Sequence, residues 1–309
     1  MFNFGKKPQN IEEDDFIDEL VGDTGDFMPL FSKQEEDEIN KSNLPKELPI
    51  LAIKNTVLFP GVVLPITIGR DKSIRLIKEA LSGNKTIGVV AQKDSQNEDP
   101  QPEDMYTVGT VASILRKVQM PDGAITVIIQ GKKRVQTTEY ISVDPYLKAK
   151  VDEIPTKQPA KGKKDEFEAT IESLRDISQQ IVELSPNIPS EASVALKNID
   201  SPSFLIHFIS SNLNVGSSEK QDILETTDLF DRATLVLGFV SKELQKLQLK
   251  YQIQNKVKTD IDKQQREYFL QQQMRAIQEE LGGDSPDLEI LNLRKKGAKK
   301  KWPDAALKQ

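Results

Sequence analysis

The sequence predicts an α+β protein: a small, mostly antiparallel β pseudo-barrel, then an α-helical bundle, then a very long helix that protrudes from it. Three observations predict it. Apolar, β-branched runs broken by Pro and Gly are confined to residues 46–153. From residue 165 the apolar residues recur at spacings of three and four. From Ser218 to Leu281 the chain runs 64 residues without a proline and with one glycine, Gly238. At about 1.5 Å per residue, the part from Asp228 to Leu281 makes a rod of roughly 80 Å.

Residues 1–45 form an acidic arm, expected to be flexible: residues 1–47 hold 13 acidic residues against 5 lysines, a net −8. The first strand is expected at Leu48–Ile53 and the second at Val62–Ile68, where Pro65 marks an edge strand or a bulge. Between them Phe59-Pro60-Gly61 closes a turn and is a candidate structural motif. A short helix follows from Lys72 to Leu81, with Asp71 as N-cap, Gly83 past its end, and Ile74, Ile77 and Leu81 on one face. Further strands are expected at 86–92, 106–119, 124–130 and 134–151, with a hairpin turn at Met120–Gly123. Gly131-Lys132-Lys133-Arg134 reads as a basic turn between two of them. It is flanked by strands, whereas a phosphate-cradling loop leads into a helix.

Residues 154–164 read as a Pro/Lys/Gly linker. The bundle is expected over 165–250. Phe167, Ile171, Leu174, Ile177, Ile181 and Leu184 share one face of its first helix. A short helix then runs to Asn198 with Ser190 as cap. Ser201-Pro202 opens the next, and Ser218-x-x-Gln221 is a capping box for the one after. The long helix, 228–281, divides in three. Val236, Val240, Leu244, Leu247 and Tyr251 should pack into the bundle. Gln252 to Gln265 is a polar middle. Tyr268 to Leu281 is an apolar tip before Gly282-Gly283. Two packed ends and a polar middle describe a strut.

The catalytic kits are missing. There is no cysteine and one histidine, His207, on an apolar helix where it reads as a packed or surface residue. No metal-ligand spacing and no phosphate-loop motif occur. No run reaches the roughly 20 apolar residues of a membrane span, and no secretory signal opens the chain. A cytoplasmic protein is the expectation. The acidic balance and 6% aromatic content argue against nucleic-acid binding, for which only the 132–134 basic run and barrel analogy speak.

Leu48-Pro49-Ile50-Leu51-Ala52-Ile53-Lys54 followed by Phe59-Pro60-Gly61 resembles the entry motif of the Lon family of ATP-dependent AAA+ serine proteases, with Ala52 and Lys54 where Pro and Arg are usual. Gln264 to Gly282, with its Arg266-Glu267-Tyr268, Gln273-Met274 and Glu280-Leu281-Gly282 elements, is similar to the signature that ends the family's long helix. The resemblance covers about residues 46–309. It implies a PUA-like β domain, with 282–309 as the start of a linker to an ATPase module beyond this chain. It also implies that the chain is a non-catalytic fragment, without cofactor of its own, of a parent that uses ATP and Mg. Unfolded or degron-bearing proteins would be its partners, and the parent a homohexamer. Tyr268, Phe269, Met274 and Ile277 are the candidate substrate or subunit contacts. A stand-alone chaperone-like or adaptor module is the alternative expectation.

Overall fold

The computed structural model describes residues 44–119, 125–185, 188, 191–280 and 286–300, together with Glu36 and Ile39. The chain forms two compact units, Met1–Leu247 and Gln248–Gln309.

In the first unit, strands β1 (Glu47–Ile53), β2 (Val63–Ile68), β3 (Thr86–Ala91), β4 (Val108–Gln119), β5 (Ile125–Ser142) and β6 (Lys148–Glu153) make a six-stranded sheet in the order β2-β5-β4-β3-β1-β6. β5 also pairs with β6, which closes β5, β4, β3, β1 and β6 into a ring and leaves β2 on the edge. The β1–β3 pair is parallel and the other strand pairings are antiparallel. Pro65 sits on that edge strand, where its missing N–H costs no ladder bond on the free side. Helix α1 (Asp71–Ser82) covers the segment between β2 and β3.

Alternation along the strands builds two apolar clusters. Leu48 and Ile50 of β1, Val90 of β3, Val111 of β4, Val135 of β5 and Ala149 of β6 meet in one, so every strand of the ring contributes and the cluster fills its interior. Leu51, Ile53, Ile87, Val89, Ala112, Val127 and Ile129 point the other way, into a second cluster. That cluster continues into helices α2 (Lys164–Leu184), α3 (Glu191–Asn198), α4 (Pro202–Asn212), α5 (Ser217–Glu225) and the start of α6 (Leu229–Glu280). Barrel and bundle therefore share one continuous core. Arg175 on α2 ties down α3 by donating to the carbonyls of Leu196 and Ile199.

The structure revises several local expectations. The basic run 131–134 is no turn: β5 continues through it with a shift of register against β4 between Gly131 and Lys133, and Lys133 and Arg134 are buried. The predicted strand 134–151 is instead the end of β5, a connection, and the larger part of β6. Asp71 lies in the first turn of α1, whose N-cap is Arg70. Leu76, Ile77 and Ala80 are that helix's buried residues, with Ile74 and Leu81 packed at their margin. Ser218 lies inside α5, which is capped by Gly216 with no side-chain bond, so the capping box is absent. Ser201 does cap α4, accepting from Phe204 N–H at 3.2 Å. The long helix starts at Leu229, where Asp228 Oδ1 accepts from the N–H groups of Phe230 and Asp231. Its packing stops at Leu247; Tyr251 is 55% exposed. Within the 154–164 linker, Lys157 is held to Thr227 and Leu229 by backbone hydrogen bonds. The expected Met120–Gly123 turn, the Ser190 cap, Gly282-Gly283 and nearly all of the acidic arm lie outside the described residues.

In the second unit α6 runs on to Glu280 and α7 spans Pro286–Ala298. From Leu249 to Glu280 every residue of α6 is exposed.

Candidate functional site

Phe59-Pro60-Gly61 joins barrel to bundle. Phe59 is fully buried and its ring lies 6.0 Å from that of His207 on α4. Gly61 has φ of 80°, the left-handed region that glycine enters freely, and this turn lets its N–H reach Gly131 O at 2.9 Å. Gly131 N–H returns a bond to Val62 O at 2.9 Å. A Cβ on Gly131 would collide with the Phe59 carbonyl, so glycine in β5 is what allows the two segments to approach. Thr110 on β4 donates to Leu58 O at 2.6 Å.

Behind this motif lies a buried polar cluster. Arg232 Nη1 is 2.9 Å from His207 Nε2. A guanidinium only donates, so Nε2 accepts and the ring proton sits on Nδ1. His207 also bonds the backbone of Pro60, which has only a carbonyl to offer. Burial and the positive charges of Arg232 and Arg134 hold the His207 pKa well below 6.5, so the ring is neutral at physiological pH. Arg134 donates to Leu224 O at 2.9 Å, Thr226 O at 3.0 Å and Thr156 Oγ1 at 3.1 Å. Arg232 Nε donates to the same Thr226 carbonyl at 2.9 Å. Burial lowers the pKa of Arg134 to about 10, and burial with Arg134 beside it lowers that of Arg232 to about 9. Both stay charged at neutral pH. Gln221 on α5 donates to Val108 O of β4 at 2.9 Å, a further stitch between barrel and bundle. The cluster holds two segments together; it has no nucleophile with a base beside it.

Tyr268, Phe269, Met274 and Ile277 stand on α6 at 65%, 60%, 62% and 54% exposure. At about 100° per residue they do not form one patch. Leu270, Met274 and Ile277 fall within roughly 60° of one another, and Tyr268 lies roughly opposite, in line with Ile253, Val257 and Ile261; Phe269 lies between. Lone exposed apolar residues are ordinary, but this helix carries two apolar stripes on opposite faces. A separate apolar groove of about 320 Å³ on the bundle is lined by Ile181, Val182, Ile188, Phe208 and Leu213. Among the described residues there is no group of three His, Cys, Asp or Glu that could hold a metal ion, and no helix long and apolar enough to cross a membrane.

The sequence singled out the Phe59 motif and the α6 tip but missed the Arg134–His207–Arg232 cluster. A β-bulge hides part of it: the β4–β5 register shifts between Gly131 and Lys133, and Lys133, Arg134 and Val135 are buried in succession. That breaks the period of two by which a strand is read from its residues. Nothing local in the sequence pairs His207 with Arg232.

Residues 47–242 match the family model described as the ATP-dependent protease La (LON) substrate-binding domain. The chain is 50% identical over 283 residues to the Lon protease of Flavobacterium johnsoniae, covering 92% of this chain and 34% of the relative. It is 46% identical over 279 residues to the Lon protease of Cytophaga hutchinsonii, covering 90% and 34%. The chain thus spans about a third of the length of these relatives. The solved N-terminal domain of a Mycobacterium avium complex Lon protease shares the fold, with a TM-score of 0.53 at 21% identity over 63% of this chain and 98% of that one.

Proposed function

Because the chain belongs to the family of the ATP-dependent protease La (LON) substrate-binding domain, we propose that it captures unfolded or degron-bearing protein for a Lon-type ATP-dependent serine protease and helps its subunits associate. On this reading the chain contributes no catalytic group. Hydrolysis, with its ATP and Mg, belongs to other parts of the parent protein. The observation that carries the reading is the pair of exposed apolar stripes on α6. A helix with Tyr268 on one side and Leu270, Met274 and Ile277 on the other offers two contacts at once, one to an extended apolar segment and one to a neighbouring subunit.

Fluorescence anisotropy with a labelled, permanently unfolded casein tests it. The wild-type chain should bind, and a Tyr268→Ser, Phe269→Ser, Met274→Ser, Ile277→Ser variant should bind at least about tenfold more weakly, about 1.4 kcal/mol. Those four residues touch no core, so the far-UV circular dichroism should be unchanged. Equal binding by both chains removes the tip from the site; no binding by either removes the substrate-capture reading.

A further inference from the structure

Several hydroxyl groups on the helices of the bundle donate back to the carbonyl four residues earlier. Thr170 bonds Glu166 O and Ser173 bonds Ala169 O, both at 2.8 Å, on α2, and Ser210 bonds Ile206 O at 2.6 Å on α4. Ser178, also on α2, makes no such bond. It is 7% exposed and stands in the buried stripe of that helix, between Leu174 and Ile181. Its Oγ has no hydrogen-bond partner among the described residues. An unpaired hydroxyl inside a core is destabilising, and alanine at this position would avoid the penalty.

Ser178 lines the bundle groove of about 320 Å³. Around it stand Ile181 and Val182 of α2, Leu196 of α3, Phe208 and Ile209 of α4, and Val240 of α6. The groove is an apolar space with one hydroxyl in its wall, the composition of a side-chain pocket. Glu243 lines it as well, and a carboxylate there disfavours an acidic neighbour. A side chain that fills this space and satisfies Ser178 needs an apolar body and a polar tip. Aliphatic side chains and phenylalanine have only the body. Tyrosine has both, and its O–H can donate to Ser178 Oγ or accept from it, so either setting of the serine hydroxyl is matched.

We propose that this groove is a pocket for a tyrosine side chain of a protein segment that carries no acidic neighbour, with the phenol hydrogen-bonded to Ser178. The segment belongs to captured substrate, so the source of the tyrosine rests on the function proposed above; the preference of the pocket does not. Ser178 then acts as a specificity residue: it separates tyrosine from phenylalanine, because a phenol buried here without a partner would lose its bonds to water.

Methyl-resolved NMR of the full chain tests it with p-cresol and toluene, the side chains of tyrosine and phenylalanine. Both should shift the methyl signals of Ile181, Val182, Ile209 and Leu213 saturably, and p-cresol should bind about two- to tenfold more tightly. In Ser178→Ala that preference should vanish or reverse, while thermal melting is no lower than in the wild type, because the hydroxyl removed had no partner. Excess of a permanently unfolded casein should displace p-cresol from the same methyls. No shift at these methyls, equal binding of the two probes, a preference that survives Ser178→Ala, or a lower melting temperature in that variant overturns the pocket. Casein that binds without displacing p-cresol overturns its assignment to substrate. The probe titrations contain no substrate, so their failure leaves capture by α6 standing, and failure of casein to bind at all removes the capture reading and not the pocket.

Discussion

Phe59→Ala is the sharpest perturbation of the shared core. Phe59 is 0% exposed and belongs to the apolar cluster that runs from the barrel strands through α2 and α4 to α6. Its ring is also the one that faces His207. Truncation removes the ring's burial and leaves a cavity that backbone bonds on either side hold open: Val62 N–H to Phe59 O at 3.2 Å and Gly61 N–H to Gly131 O at 2.9 Å. Buried Phe→Ala changes of this kind cost about 3–5 kcal/mol, a large part of the roughly 5–15 kcal/mol that holds a domain folded. The core is continuous, so the loss should appear in both halves of the first unit. Hydrogen exchange read by mass spectrometry along a urea titration measures this. Amides of β1, β3, α2 and α4 should lose protection together and by the same free energy. Tyr251→Ala, at a site 55% exposed, should shift them by less than about 0.5 kcal/mol. If Phe59→Ala costs no more than Tyr251→Ala, or if the barrel amides weaken while α2 and α4 do not, the single-core argument is wrong.

Two further outcomes follow from the same junction. Gly131→Ala drives a Cβ into the Phe59 carbonyl and should cost on the order of 1–3 kcal/mol by overpacking, read as a lower urea midpoint with an unchanged slope. His207 gives a pH signature: its folded pKa lies below the unfolded value of 6.5, so the unfolded chain binds more protons just beneath that pH. Its contribution is fully present above pH 6.5 and is lost as pH falls from there toward the folded pKa. The urea midpoint of the wild type should therefore drop between about pH 7 and pH 5, where unperturbed carboxylates stay largely ionised, while His207→Gln, whatever its overall stability, should show a flatter profile over that window.

Long-period patterns were legible in the sequence and close contacts between distant segments were not. The apolar face of α2, the edge position of Pro65, the Ser201-Pro202 start of α4 and the extent of α6 each rest on local chemistry, and each is found where that chemistry puts it. Glycine and charge misled at Gly131–Arg134, because a close backbone approach and two interior cations mimic the composition of a turn. The Ser218 capping box failed because the chain enters α5 two residues earlier, with Gly216 as N-cap and Ser217 as the first helical residue. The Arg134–His207–Arg232 cluster joins residues 73 and 25 positions apart in the chain, and its partners are mostly carbonyls. Carbonyl partners leave no trace in residue type. For the α6 tip, the apolar content was legible in the residues themselves, and helix geometry then separated it into two faces.

Photo-crosslinking tests substrate capture most directly. A permanently unfolded casein bearing a photo-activatable group would be irradiated with the wild-type chain and the adducts mapped by mass spectrometry. The prediction is a concentration of adducts on Tyr268, Phe269, Met274 and Ile277, with few on the polar side chains of the stretch Gln252 to Gln265 of the same helix. Adducts spread evenly along α6, or absent from the chain, would contradict the claim that this region grips protein substrate.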